Sequence, residues 1–160
     1  MSYTIDYLAN YPEHLGACAA WGYGRWGVQK PHGSLERAIK HYKNALNTDK
    51  IPMTLVAIDT QTNLPIAMGS LVEQDGKDWA EHTPWIASIY THYRRHGQGI
   101  ARAMVARLEH EAKTLGFGHL HLYSGSAASL YIELGYQEID SKPTTQTAAG
   151  VKIFFRKALT

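Results

Sequence analysis

"RRHGQGIARAM", Arg94 to Met104, decides how this chain is read. Two arginines and a histidine run into Gly97-Gln98-Gly99, and an apolar stripe starts at once. Ile100, Met104, Leu108, Ala112 and Leu115 recur at helical spacing. Just upstream, "WIASIYT" (Trp85–Thr91) reads as a strand. A strand, a glycine turn and a helix leave backbone amides unpaired at the positive end of a helix dipole, where phosphate binds. The following strand, "HLHLY" (His119–Tyr123), completes a β-α-β unit whose two strands should be parallel.

Two phosphate-binding patterns do not fit this turn. The dinucleotide fingerprint requires a glycine at its sixth position, which here is Arg102. The P-loop pattern GxxxxGK[ST] is absent. A glycine turn alone serves many strand-to-helix connections, so its meaning depends on its surroundings.

Towards the N-terminus, Tyr3–Leu8 alternates as a short strand, and Pro12 opens a helix running through "PEHLGACAAWGYGRWG". Ser34 is placed to cap a second helix with Leu35, Ile39, Tyr42 and Leu46 on one stripe. "MTLVAID" (Met53–Asp59) is almost wholly apolar, as expected of a strand covered on both faces. The turn "TQTN" links it to the strand "LPIAMGSLVEQ", giving a hairpin. Beyond the β-α-β unit, "SAASLYIEL" reads as a short helix stopped by Gly135. A strand "YQEI", a loop "DSKPTTQTAAG" and an alternating strand "VKIFFRK" follow. The order predicts one α+β domain over residues 1–160, with a parallel pair inside a mixed, mostly antiparallel sheet.

Bulk composition narrows the function. Hydrophobic residues are 44% and charged residues 19%, as in ordinary globular domains. Sixteen Lys+Arg against fourteen Asp+Glu leave a formal charge of +2, too little to argue for nucleic acid or an anionic membrane. The single cysteine, Cys18, excludes an intrachain disulfide and suits a reducing compartment. With no signal-like start and no apolar run of roughly 18–20 residues, a cytoplasmic domain is the expectation.

The segment "SGSAASLYIELGY" (Ser124–Tyr136) gives the glycine turn its context, because it brings Tyr131 to the same end of the sheet. Together the two stretches resemble the GNAT superfamily of N-acetyltransferases. The phosphate-binding pattern Gln/Arg-x-x-Gly-x-Gly/Ala is matched by His96-Gly97-Gln98-Gly99-Ile100-Ala101. An "A..LY...GF"-like helix is matched by Ala127, Leu130, Tyr131, Gly135 and Tyr136. The likeness runs from about Tyr11 to Leu159, and "PWIASIY" looks like the strand of one bacterial branch. His96 stands where Gln or Arg is usual, with Arg95 directly before it as a replacement cation. Ser124 stands where Asn is frequent.

The resemblance implies a three-layer α/β/α, GNAT-like fold and acetyl-CoA as acyl donor. Ile89, Tyr90 and Thr91 would pair through their backbones with the pantetheine arm. Amides from Gly97 to Arg102 (Gly97, Gln98, Gly99, Ile100, Ala101 and Arg102) would hold the diphosphate, with Arg95, His96 and Ser124 nearby. An amine would attack the thioester directly, with a backbone N–H near Ile89 donating to the oxyanion and Tyr131 to the leaving sulfur. A phenol of pKa about 10 can serve a thiolate whose conjugate acid is near 8.5.

An ammonium acceptor must lose a proton first. Glu73 at the end of its strand is the first candidate base; Asp75, Glu81-His82 and a water chain are alternatives. Acidic residues there, with Asp78, suit a small cationic amine. Trp21, Tyr23 and Trp26 would wall the acceptor pocket or fill core. No metal is expected: His119 and His121 lack the other ligands of a tetrahedral set, and "LEHEAKT" is not H-E-x-x-H. The competing class is a non-catalytic acyl-CoA-binding module acting as a sensor or protein partner. A nucleotide-binding regulator is a weaker third. Dimers are common in the family, so a homodimer is compatible with the resemblance.

Overall fold

A computed structural model describes residues 2–160. Seven strands form one sheet: β1 (Tyr3–Tyr7), β2 (Met53–Asp59), β3 (Pro65–Val72), β4 (Trp85–Thr91), β5 (His119–Ser124), β6 (Gln137–Pro143) and β7 (Val151–Ala158). Their order is β1-β2-β3-β4-β5-β7-β6, antiparallel throughout except between β4 and β5. Four helices cover the two faces: α1 (Leu15–Arg25), α2 (Leu35–Asn44), α3 (Ile100–Thr114) and α4 (Ala128–Glu133).

Every residue of β2 is buried, and its alternation feeds two separate cores. Met53, Leu55 and Ala57 pack with the α3 stripe of Ile100, Met104, Leu108 and Ala112. Val56 and Ile58 point the other way, onto Cys18, Ala19 and Tyr42 of α1 and α2. The sheet is thus the middle of three layers, the α+β class expected. Ser34 caps α2 by accepting from the Arg37 amide at 3.1 Å. Among the described residues, no helix is long and apolar enough to cross a membrane.

Four local expectations need correction. β1 stops at Tyr7, because Leu8 turns inward in a 3-10 turn and is fully buried. Pro12 opens a second 3-10 turn, Pro12–His14, and α1 begins only at Leu15. The α2 stripe loses its ends: Leu35 is exposed, and the helix closes at Asn44 before Leu46. β6 runs to Pro143, through residues read as loop, because its register with β7 continues to Pro143↔Val151. An edge strand can be polar on both faces, which hides it from a search for alternation.

Two features of β4 shape the site. Opposite Gly69 of β3, β4 holds two residues, Ser88 and Ile89, between the pairs Ser70↔Ala87 and Met68↔Tyr90. This is a β-bulge, and Ser88 adopts a φ of 58° there, a conformation uncommon for a residue with a side chain. On its other side, β4 meets β5 at one pair only, Trp85↔His121, where the His121 amide donates to the Pro84 carbonyl at 3.1 Å. Towards their C-terminal ends the two parallel strands make no further pairs. A wedge opens between them.

Candidate active site

The glycine turn lies at the open end of this wedge. β4 ends at Thr91, a 3-10 turn spans Tyr93–Arg95, and Gly99 caps α3. Gly97 and Gly99 have φ of 78° and 76°, and a β-carbon on either would have no neighbour within 4 Å. Positive φ suits glycine, and the vacancy leaves room for a ligand to reach the backbone. With the first-turn amides of α3 and its dipole, the turn fits a diphosphate.

The side chains around the turn take specific partners. His96 directs Nε2 to the Thr91 carbonyl at 2.8 Å, closing the turn against the end of β4. The His92 ring accepts from the Arg94 amide at 3.2 Å, and Arg94 lies over the exposed Tyr93 ring at 5.6 Å. Arg95 is buried, donating from Nη1 to Asp59 at 2.7 Å and from Nε to Gln98 at 3.1 Å. Arg102 pairs with Glu133 of α4. The three arginines around the turn therefore differ: Arg94 is exposed, Arg102 joins two helices, and Arg95 is enclosed.

Across the wedge, Ser124 at the end of β5 accepts from the Ala127 amide at 3.0 Å and shapes the entry to α4. That helix carries Tyr131, whose ring is buried against Tyr136 (5.9 Å, 78° between planes) and Phe155. Burial pushes the Tyr131 phenol up to about 12, so it remains a proton donor at ordinary pH.

On the α1/α2 face, the Tyr42 phenol faces the Ser88 hydroxyl at the bulge, and burial pushes it up to about 12. Asp75, in the loop after β3, lies close enough to Tyr42 and Tyr123 for its charge to raise both phenols further. Burial raises the Asp75 carboxyl to about 6, against smaller lowering by Lys152 and Lys30. The loop is pinned: Lys152 reaches Asp78 at 3.2 Å and covers the Tyr123 ring at 4.0 Å. Trp79 stacks on Phe154 and donates to Asp140 at 2.8 Å.

Glu73, the first candidate base, is exposed just past β3, opposite the closed end of the wedge. Glu81 is exposed, and His82 stacks on the buried His121 at 5.0 Å. Trp21 stacks on Tyr90 at 5.1 Å, beside a hollow of about 250 Å³ lined also by Ala20, Gly24 and Arg25. Trp26 is half-buried in the α1/α2 core, under the Arg25 guanidinium. Sequence reasoning missed Asp59, Tyr42 and Ser88 as parts of the site. Their partners are far away in the chain, and a bulge has no fixed sequence mark.

No curated protein matches the chain by sequence. Solved structures do match its fold. An aminoglycoside 6'-N-acetyltransferase complexed with coenzyme A superposes with a TM-score of 0.75 at 13% identity, covering 100% of this chain and 98% of that one. Salmonella typhimurium yncA, solved with its cofactor acetyl-CoA, gives 0.75 at 16% identity over 100% and 95%. Mutant forms of the spermidine/spermine N-acetyltransferase SpeG from Vibrio cholerae give 0.72 at 17% identity over 99% and 95%. The family model for the GNAT acetyltransferases matches residues 17–136, from α1 through the wedge and the glycine turn to the end of the Tyr131 helix. The chain belongs to the GNAT acetyltransferase family.

Proposed function

We propose that this acetyltransferase moves an acetyl group from acetyl-CoA to the primary amine of a small cationic acceptor, by direct attack in a ternary complex. The observation that supports it most is the wedge itself. Two parallel strands part after one pair, an open glycine turn lies at the wide end, and the Tyr42 phenol at the bulge feels the charge of Asp75. Structural neighbours that include aminoglycoside and spermidine/spermine acetyltransferases are consistent with an acceptor of this kind.

In this reading the diphosphate takes the amides of Gly97 to Arg102, and the pantetheine arm pairs with Ile89, Tyr90 and Thr91. The acceptor nitrogen, once neutral, adds to the thioester carbonyl carbon to give a tetrahedral oxyanion, which collapses with cleavage of the carbon–sulfur bond. The Ile89 N–H, the second residue of the bulge, is the donor for the oxyanion. Tyr131 hydrogen-bonds or protonates the departing sulfur. The proton leaving nitrogen goes to a carboxylate. Glu73 serves only through intervening water, whereas Asp75, with a carboxyl raised to about 6 and a charge felt by the Tyr42 phenol, is better matched.

Incubation with acetyl-CoA and a panel of polyamines, aminoglycosides and peptides tests the proposal, with released thiol as the readout. Thiol release with the cationic small molecules is the expected result. CoA binding without release across the panel would overturn catalysis on this class.

A further inference from the structure

The buried ion pair beneath the glycine turn has a use that the acyl-transfer chemistry does not require. Asp59 ends β2 and is only 5% exposed. Its Oδ1 accepts from the amides of Gln61 and Thr62, at 2.8 and 3.0 Å, closing the turn between β2 and β3. Its Oδ2 accepts from Arg95 Nη1 at 2.7 Å. Arg95, 8% exposed, holds its own backbone amide on the His92 carbonyl at 2.8 Å and sends Nε to the Gln98 side chain at 3.1 Å. Gln98 is the middle residue of Gly97-Gln98-Gly99. The flanking glycines have no side chains, so Gln98 alone can tie the tripeptide down.

Two glycines at positive φ form a segment that loses much conformational freedom when it is ordered. A ligand that has to order such a turn binds more weakly than one that meets it already ordered. A buried ion pair is a poor source of net stability, since apolar replacements are often as stable. A fixed geometry is the better explanation for placing one here. Two of the three Arg95 guanidinium nitrogens are taken up by Asp59 and Gln98, while the third, Nη2, is buried without a hydrogen-bond partner.

We infer that Asp59, Arg95 and Gln98 are positioning residues: a relay that anchors the glycine turn to the β2–β3 hairpin and holds its amides ready for the diphosphate of CoA. Arg95 is the middle of the relay, acting through its contacts to Gln98 and Asp59. The inference rests on the acetyl-CoA reading for its ligand, but not for its mechanics.

The test uses the full chain with CoA and with pantetheine, which lacks the diphosphate, in binding titrations. It adds hydrogen exchange at Gly97, Gln98 and Gly99 in the ligand-free protein. Gln98 is exposed, so Gln98→Ala preserves the fold. It should weaken CoA binding by about fivefold to tenfold, the scale of one ordinary intramolecular hydrogen bond. It should also speed exchange at the turn and leave pantetheine affinity unchanged. Asp59→Asn, which keeps the turn-closing acceptor, should act in the same direction and more strongly.

Wild-type exchange rates and CoA affinity in Gln98→Ala would overturn the relay, as would equal losses of CoA and pantetheine binding. If the unaltered protein bound no CoA, the acetyl-CoA reading would fall while the exchange rates still decided the relay.

Discussion

A β-carbon on Gly22 would sit 2.6 Å from the phenol oxygen of Tyr42 and 2.9 Å from the nearest ring carbon. α1 thus lies flush on a Tyr42 side chain that is 2% exposed and reaches across to the Ser88 bulge. The absent side chain at position 22 is what lets α2 deliver its tyrosine to the bulge in β4. Gly22→Ala must displace a buried ring, at a cost of about 1–3 kcal/mol. The thermal midpoint should fall by several degrees. In a double-mutant cycle, Tyr42→Phe should recover part of that loss, because it removes the nearer clash. Simple additivity would show that the two residues do not press on each other.

The glycine turn makes a second prediction. Nothing lies within 4 Å of a β-carbon at Gly99, so Gly99→Glu should fold. The left-handed φ of 76° makes any side chain there unfavourable by roughly 1–2 kcal/mol. The carboxylate would also occupy the notch with the same sign as a diphosphate. Calorimetry should therefore detect no CoA binding in Gly99→Glu, and weakened binding in Gly99→Ala. Unchanged CoA affinity in Gly99→Glu would remove the turn from the site.

The parts legible in sequence were those governed by local pattern. β2 and α3 announce themselves by apolar runs and spacing, Ser34 by its capping chemistry, and the turn by its glycines. What was hidden depends on packing between distant segments. The Asp59–Arg95 pair joins residues 36 apart in the chain, and nothing around either marks the other. Arg95 looks like a phosphate ligand in sequence because its neighbours are cationic; only the fold encloses it. Glu73 reads in sequence as a strand-end acid and Asp75 as a loop acid, yet Glu73 faces solvent and Asp75 is half-buried. The polar second half of β6 reads as loop for a related reason: its strand identity comes from β7, not from its own alternation.

Tyr131 supplies the third prediction. Its ring belongs to the α3-side core, so Tyr131→Phe should keep the packing and lose the hydroxyl alone. Turnover should fall by about tenfold to a hundredfold, while CoA affinity stays as it was. Because burial holds the phenol up at about 12, the donor remains protonated below that pH and contributes no alkaline limb to turnover near its ordinary 10.0. The raised value favours the folded state fully below pH 10.0, and that support is lost as pH climbs through about 12. Intact turnover in Tyr131→Phe would assign the leaving group to another donor.

Asp75 carries the prediction whose two halves point in opposite directions. Burial raises this carboxyl to about 6, so between its ordinary 3.8 and about 6 the folded protein holds a proton that the unfolded chain releases. Stability contributed by that proton is complete below 3.8 and is lost as pH rises through about 6. Above that range the buried charge works against the fold, and Asp75→Asn should stabilise the protein by on the order of 1 kcal/mol at neutral pH. The same substitution should lower kcat/KM for a cationic amine and abolish an acidic limb near pH 6. A residue kept for structure would lose stability when replaced; one kept for proton transfer gains stability and loses rate. Thermal melts and pH–rate profiles on one pair of proteins read both signs. Glu73→Gln is the control: if it erased the acidic limb and Asp75→Asn did not, the proton would pass through the exposed carboxylate instead.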